Sequence, residues 1–224
     1  MKIKELINEL KFGYLISAHY FLKVLQDKEK LSKYYTQNID GLEKLAGLED
    51  SKVIEAHGTF SSAACSNCGE KYDIDELKEK ILLDDDPVCR SCGGWAKPKI
   101  VFFGEQLPPR FFDEAELDCE FCDQMICIGT SLEVYPFAGK TKSTVFILLT
   151  IISIDFSGIV DAPKHKTPRL LINSDLVGSF GARPNDAALL GDLVLSIEKI
   201  CEKLEWTEDL LEAQIENELN LKVV

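Results

Sequence analysis

Long apolar stretches are scarce in this 224-residue chain. Met1-Lys2-Ile3-Lys4-Glu5-Leu6 alternates charged with apolar side chains and lacks the continuous apolar core of a secretory signal. The run from Val145 to Ile154 is predominantly apolar but covers only ten residues, against the roughly 20 that a bilayer-spanning helix needs. Positive charge is also in short supply. With 25 Lys and Arg against 38 Asp and Glu, the net charge is −13, which repels phosphate backbones and attracts cationic partners such as Lys-rich segments. No basic stripe offsets it, so direct nucleic-acid binding is not expected. No unit of 20 to 50 residues recurs, which excludes a solenoid. Eight cysteines are few for a disulfide scaffold of this size, and clustered cysteines in a reducing compartment act as metal ligands. The protein is therefore expected inside the cell, in cytoplasm or nucleus, away from membranes. What remains is ordinary globular composition, 46% hydrophobic and 28% charged, enough for one main core and a modest second module.

Residues 2 to 31 carry apolar side chains at helical spacing, among them Leu6, Leu10, Tyr20, Phe21, Val24 and Leu25, and predict two helices broken near Gly13. Three later segments share one design, a short apolar run ending in small polar residues: Tyr34 to Asn38, Ile126 to Ser131 and Leu170 to Ser174. Each predicts a buried strand, with Val53 to Ala56 and Ile100 to Phe103 as further strands and Leu193 to Leu204 as a helix. The alternation is that of an α/β fold. In an open parallel sheet, ligands bind beyond the carboxyl ends of the strands, so the polar ends are candidate contacts; ordinary polar loops would look the same. Asp84-Asp85-Asp86 before Pro87 predicts a solvated turn.

Between residues 58 and 99 the apolar periodicity lapses. Cys65-x2-Cys68 and Cys89-x2-Cys92 stand twenty residues apart, the spacing of a four-thiolate tetrahedral zinc site, and each pair is followed by a glycine, Gly69 and Gly93. Glycine allows the tight knuckle that turns backbone N–H groups toward sulfur. A redox pair or two unrelated pairs would not require this doubled pattern. Four thiolates close the zinc shell, so the metal is expected to be structural, one per chain, with chemistry elsewhere. Cys119, Cys122 and Cys127 lack a matching second pair and read as buried thiols.

Taken in order, Tyr35-Thr36-Gln37-Asn38-Ile39-Asp40-Gly41-Leu42, Glu55-Ala56-His57-Gly58, the paired cysteine knuckles, Val101-Phe102-Phe103-Gly104-Glu105, Gly129-Thr130-Ser131-Leu132 and Leu171-Ile172-Asn173 resemble the sirtuins, NAD-dependent protein-lysine deacylases. The similarity runs from about Ala18 to Trp206 and is strongest to the eukaryotic nuclear and cytosolic branch. The resemblance implies a Rossmann-like parallel sheet binding NAD as cosubstrate, residues 1–57 with 100–224, and an inserted small zinc-binding domain, residues 58–99. It implies acetyl-lysine protein or peptide substrates, whose acyl oxygen attacks C1′ of the ribose as nicotinamide leaves. By the same resemblance His57 and Asn38 are catalytic, His57 as the general base for a ribose hydroxyl, a task that suits an imidazole titrating near neutrality. Gln37, Asn38 and Asp40 would line the nicotinamide and ribose pocket. Gly129, Thr130 and Ser131 would meet the phosphates or ribose, and Asn173, Ser174 and Asp175 the adenosine ribose. Val101, Phe102, Glu105 and Val134 would meet the peptide and its acyl-lysine. Viewed alone, His57 could be a structural histidine, and Val101 and Phe102 plain strand core.

Two departures from the sirtuin pattern carry expectations of their own. No Gly-Ala-Gly-x-Ser segment is present, which predicts a sheet without its first strand and Gly-rich turn, unpaired inner edges on two neighbouring strands, and poor NAD binding. A non-catalytic, zinc-containing protein-binding isoform is then the second functional class. The other departure is the apolar insertion at residues 139–157, expected to form a buried strand or an aggregation-prone loop. Gly139-Lys140 can be encoded GGT-AAG and Phe156-Ser157-Gly158 TTT-TCA-GGN, which suggests a retained intron.

Overall fold

The computed structural model describes residues 15–102, 105–130, 132, 147–148 and 161–221. Their larger sheet is built from β1 (Tyr34–Thr36), β2 (Val53–Glu55), β6 (Met125–Ile128), β7 (Ile147–Leu148), β8 (Arg169–Asn173) and β9 (Asp186–Leu190), in the order β2-β1-β7-β6-β8-β9. β1 runs parallel to β2, and β6, β8 and β9 run parallel to one another. β7 is antiparallel to both neighbours, so β1 and β6 point the same way and all five parallel strands bring their carboxyl ends to one edge.

Residues of β1, β2, β6 and β8 alternate between two buried faces, which is why these strands read as apolar runs. Tyr34, Val53, Ile128 and Ile172 face a layer of helices, α1 (Ser17–Asp27), α5 (Leu193–Leu204) and α6 (Thr207–Leu221), where Phe21, Leu22, Ile197, Cys201 and Leu210 are buried. Tyr35, Ile54, Cys127 and Leu171 face the opposite layer, where α4 (Pro109–Phe121) contributes Phe111, Ala115 and Cys119. Burying one such side chain contributes about 1.5–3 kcal/mol, so each strand position serves one face or the other at full value. The open edge at β2 is blunted from the side: the Arg110 guanidinium donates to the carbonyls of Asp50, Ser51 and Val53 at 3.1 to 3.4 Å.

The second sheet is three-stranded, ordered β4-β3-β5 and antiparallel, from β3 (Gly58–Cys65), β4 (Lys71–Tyr72) and β5 (Ala96–Ile100). One helix, α3 (Ile74–Leu82), packs Leu77 against Ala63 and Ala96. Asp73 caps it, its carboxylate accepting from the N–H groups of Asp75 and Glu76. The short helix α2 (Leu42–Leu45) follows Gly41, whose φ of 71° turns the chain after β1.

Three expectations are revised. The strand placed at Ile100 to Phe103 lies earlier, at Ala96–Ile100, because Ile100 is the last residue in register with β3, opposite Gly58. The inner edges of β1 and β6 are not left unpaired: Leu148, from the apolar insertion, lies opposite both Tyr35 and Cys127. The stretch at residues 58–99, where apolar periodicity lapses, nonetheless forms an eight-residue strand, β3, whose buried positions include Phe60 and Ala63. The first predicted helix and the break near Gly13 fall outside the described residues, as does most of the insertion. Asp84 to Asp86 are exposed, as a solvated turn requires. Of the three cysteines read as buried thiols, Cys119 and Cys127 are buried and Cys122 is half-buried.

Candidate functional site

The parallel strands deliver the polar residues to the carboxyl edge of the sheet. Leu148 faces Tyr35 of β1 and Cys127 of β6, so Thr36-Gln37 and Ile128-Gly129 leave the sheet at matching heights. Beyond β1 the chain turns sharply: the Asn38 N–H donates to the Thr36 hydroxyl at 3.0 Å and the Leu42 N–H to Asp40 Oδ1 at 3.1 Å. Burial raises the Asp40 carboxyl above its ordinary value, against the stabilising N–H donors.

His57 sits between this loop and the end of β5. Its Nδ1 lies 3.0 Å from the Gln37 carbonyl oxygen, and its own carbonyl accepts from the Val101 N–H at 2.8 Å. A carbonyl only accepts, so Nδ1 carries the proton and, in the neutral ring, Nε2 is unprotonated and basic. Desolvation lowers the His57 pKa, partly opposed by the Gln37 carbonyl, which favours the neutral form at physiological pH. Glycine is required next to it: Gly58 has φ of 73°, and a Cβ there would lie 1.9 Å from the Lys99 carbonyl oxygen. The loop is tied down again by the Phe60 N–H, which donates to the Ile39 carbonyl at 2.9 Å.

On the other side of β5, Glu105 accepts from the Phe102 N–H at 2.9 Å and pairs with Lys97, which holds its carboxyl below the ordinary value. Val101 and Phe102 are half-buried beyond the end of β5, not strand core. Further along the sheet edge, Gly129 has φ of 62° and Thr130 is buried, its hydroxyl accepting from the Leu132 N–H at 3.1 Å. Asn173 ends β8 and donates to the Asp175 carbonyl at 2.9 Å, while Ser174 donates to the Asp175 carboxylate at 2.8 Å. Thus hydrogen bonds join Gln37, His57 and Val101, Asn38 and Asp40 lie on the same loop as Gln37, and Gly129, Thr130, Asn173, Ser174 and Asp175 lie on strand ends of the same sheet edge. Ser131 and Val134 lie outside the described residues.

The four cysteine sulfurs of the small sheet lie within 4.8 Å of one another, with Cys65 to Cys92 at 3.5 Å and Cys68 to Cys89 at 3.8 Å. A tetrahedron with zinc–sulfur bonds of about 2.3 Å has sulfur–sulfur edges of roughly 3.8 Å, so the donor set fits zinc. The knuckle geometry prepares it. Backbone N–H groups of Cys68 and Asn67 lower Cys65 to about 6. Cys68 rises to about 12, because the Glu70 N–H that lowers it is outweighed by the sulfurs of Cys92, Cys65 and Cys89 and by burial. Four crowded sulfurs cannot all be thiolates without a cation among them.

One set of residues was not visible as a unit in the sequence. Arg169, fully buried at the start of β8, donates to both oxygens of Asp186 at 2.7 Å, to Asp161 and Ser179 at 3.0 Å, and stacks on Phe180. It joins the amino ends of β8 and β9, the edge away from the candidate site. A lone Arg at the start of an apolar strand was its only signal.

Comparison with known proteins identifies the family. The sequence model of the Sir2 family matches residues 3–136. The chain is 42% identical over 197 residues to the mouse NAD-dependent protein deacetylase sirtuin-3, covering 87% of this chain and 53% of that protein. It is 42% identical over 193 residues to the NAD-dependent protein deacetylase hst2 of Schizosaccharomyces pombe, covering 86% and 52% respectively. Zebrafish sirtuin-2 is 43% identical over 162 residues, 71% of this chain and 38% of that protein. The chain thus spans about half the length, or less, of these curated relatives. With its Rossmann-like α/β sheet, its four-cysteine cluster and a family match over more than half its length, the chain belongs to the Sir2 family.

Proposed function

We propose that the chain serves NAD-dependent protein-lysine deacetylation, moving an acetyl group from lysine to ADP-ribose with release of nicotinamide. The observation that carries this is the geometry of His57, fixed between the Gln37 carbonyl and the Val101 N–H with its basic Nε2 unprotonated. In this reading Nε2 takes the proton of a ribose hydroxyl, while Asn38, Gln37 and Asp40 hold the nicotinamide and ribose. Gly129, Thr130, Ser131, Asn173, Ser174 and Asp175 bind the rest of the dinucleotide. Val101, Phe102, Glu105 and Val134 take an acetylated lysine and its flanking peptide, whose remaining cationic residues the −13 charge attracts. Zinc on Cys65, Cys68, Cys89 and Cys92 supplies folding free energy and leaves no open position for substrate. Residues 58–99 form the zinc domain within a Rossmann domain of residues 1–57 and 100–224, in an intracellular protein.

One observation favours the second reading, a form that binds acetylated or basic segments without turnover. The place between β1 and β6 is taken by the antiparallel β7, and among the described residues no glycine-rich turn leads from that place into a helix that would cradle a pyrophosphate. Nicotinamide release from NAD by the zinc-loaded chain, with an acetyl-lysine peptide present, decides between them. Turnover that falls by about 10²–10⁴-fold in His57→Ala, with unchanged zinc content, supports the enzyme. Peptide binding without nicotinamide release overturns it.

A further inference from the structure

We propose that the outer faces of α5 and α6 form a docking surface for a cationic amphipathic helix of a partner protein. Nothing in this surface depends on His57 being the base. α6 turns Leu210 and Ala213 into the core, and the Asn217 side-chain amide donates to the Leu45 carbonyl. On its other side Leu211, Ile215 and Leu219 follow one another at four-residue spacing and stand 51%, 57% and 58% exposed. Single exposed leucines are ordinary, but these three present a continuous apolar line to water along one helix face. The line continues toward α5. An open groove of about 510 Å³ lies between the two helices, with Cys201 and Leu210 buried in its floor and Leu195 and Leu211 exposed on its lips. A helix laid along the stripe would seat apolar side chains in that groove, the arrangement of a helix-in-groove complex.

Charge selects the occupant. α6 carries Glu208, Asp209, Glu212, Glu216 and Glu218 and no Lys, Arg or His. Asp209 pairs with Lys28 at 2.7 Å, whereas Glu208, Glu212 and Glu216 form no ion pair among the described residues. These three recur every fourth residue, each three positions before a residue of the apolar stripe, so a line of carboxylates runs beside it. Like charges at that spacing repel one another along the helix. Across the groove, Glu198 and Glu202 of α5 form the opposite margin, with Lys199 the one cation among the described lining residues. The stripe is thus bordered by acid on both sides. A helix with Lys or Arg on both flanks of an apolar face would meet these borders and relieve the repulsion within α6. A second copy of this chain would do the opposite, bringing the same carboxylates face to face on proteins of net charge −13. The same sign disfavours an anionic membrane surface.

The test uses the full zinc-loaded chain and two fluorescein-labelled synthetic peptides of about 18 residues, long enough to hold a helix. Both contain the same leucines, lysines and alanines. In one the leucines fall on a single helical face with lysines on its flanks; in the other the order is scrambled. The expected result is that the facial peptide binds about tenfold more tightly than the scrambled one and shifts the amide signals of α5 and α6. Leu211→Gln combined with Ile215→Gln, at exposed positions and with helix propensity kept, should remove that preference and leave the urea midpoint as in the parent. Glu212→Lys combined with Glu216→Lys should weaken the facial peptide about tenfold and flatten its salt dependence. Equal binding of the two peptides, or a preference that survives Leu211→Gln with Ile215→Gln, overturns the proposal, since charge alone or another face is then at work. A parent that sediments as a dimer, and that Ile215→Gln returns to a monomer, overturns it as well by giving the stripe to a second copy.

Discussion

Strands of the larger sheet bury side chains on both faces, Tyr34 and Val53 toward α1, α5 and α6, Tyr35 and Ile54 toward α4. The smaller sheet buries Ala63, Leu77 and Ala96 in one small cluster and Phe60 and Ile100 in another, with half-buried Tyr72, Ile74, Ile81 and Leu82 around them. Two alanines and one each of leucine, isoleucine and phenylalanine remove too little apolar surface to offset the ordering of some forty residues, so this part cannot hold itself together by burial alone. Its four cysteines make up the difference. The contrast teaches that one chain uses two folding devices: side-chain packing in the larger sheet, and metal ligation in the small module.

The largest effect expected is therefore metal removal. Stripping zinc should unfold the three-stranded sheet, a loss on the order of 10 kcal/mol of binding-coupled folding, while α1, α5, α6 and the six-stranded sheet keep their amide protection. Elemental analysis should find one zinc per chain and a sharp loss in Cys89→Ala. A zinc-free chain with its Cys65 to Ile100 amides protected would break the comparison at its root.

On the packed side the matching device is polar but metal-free. Arg169→Leu leaves Asp186 buried beside Asp161 without its cation and should cost about 3–5 kcal/mol, read as a lowered urea midpoint with zinc content unchanged. Asp186 is held at about 2 by Arg169. Its folded pKa is lowered, so its contribution is present above the ordinary carboxylate value near 3.8 and is lost as pH falls toward 2. In Arg169→Leu that acid-side loss should vanish.

How much of this contrast the sequence displayed follows from the same physics. Strands buried on both faces are apolar at every position, so Tyr34 to Thr36, Val53 to Glu55 and Leu170 to Asn173 were visible as runs, and the cysteine spacing announced the module. The weakly apolar β3, which holds Ala63 inward, was not visible, because metal ligation relieves its strands of the need for an apolar pattern. β9 also escaped notice, with Asp186 as its first residue and its side chains mostly exposed or half-buried. At the site, the motif order named His57, Asn38 and the strand ends as candidates. Two features that set their geometry depend on contacts between distant positions: Gly58 against Lys99 and the Val101 N–H on the His57 carbonyl. No local pattern encodes such contacts. The insertion reads in the sequence as a buried strand or an aggregation-prone loop, and the register of Leu148 with Tyr35 and Cys127 is what places a strand there.

A smaller, pH-dependent effect belongs to the packed side alone. His19 is fully buried on α1 with Nδ1 accepting from the Ile16 N–H at 3.1 Å, and desolvation lowers its pKa to about 4. The unfolded chain binds a proton below about 6.5 that the folded chain refuses until about 4. Stability from this group is thus complete above 6.5 and lost as pH falls toward 4, up to about 3 kcal/mol in all. Urea midpoints at pH 7.5 and 5 should differ accordingly for the parent. A His19→Gln chain, lower in stability throughout, should lose this slope. Equal slopes would show that His19 is not the group responsible.

The smallest effect offers the sharpest test, because the same substitution can be made in both regions. Asp73 caps α3 in the small module, accepting from two backbone N–H groups, and Asp192 caps α5 in the large one, accepting from the Leu195 N–H at 2.9 Å. Each replacement by alanine should cost about 1 kcal/mol. Where that cost appears is what differs. If the module folds only as it takes up metal, destabilising its folded form raises the free energy of the zinc-bound state against an unfolded apo state, so Asp73→Ala should weaken zinc affinity about fivefold. Asp192 lies in a part that folds by packing, so Asp192→Ala should lower the urea midpoint of the large sheet and leave zinc affinity as it was. Competition with a chromogenic chelator reads the first quantity, and fluorescence of Trp206, next to α6, reads the second. If Asp192→Ala weakens zinc as much as Asp73→Ala does, the two regions fold as one unit, and the division between packing and ligation falls. If Asp73→Ala changes neither quantity, the apo module already holds its helix without metal, and the small core of Phe60, Ala63, Leu77, Ala96 and Ile100 does more than its area allows.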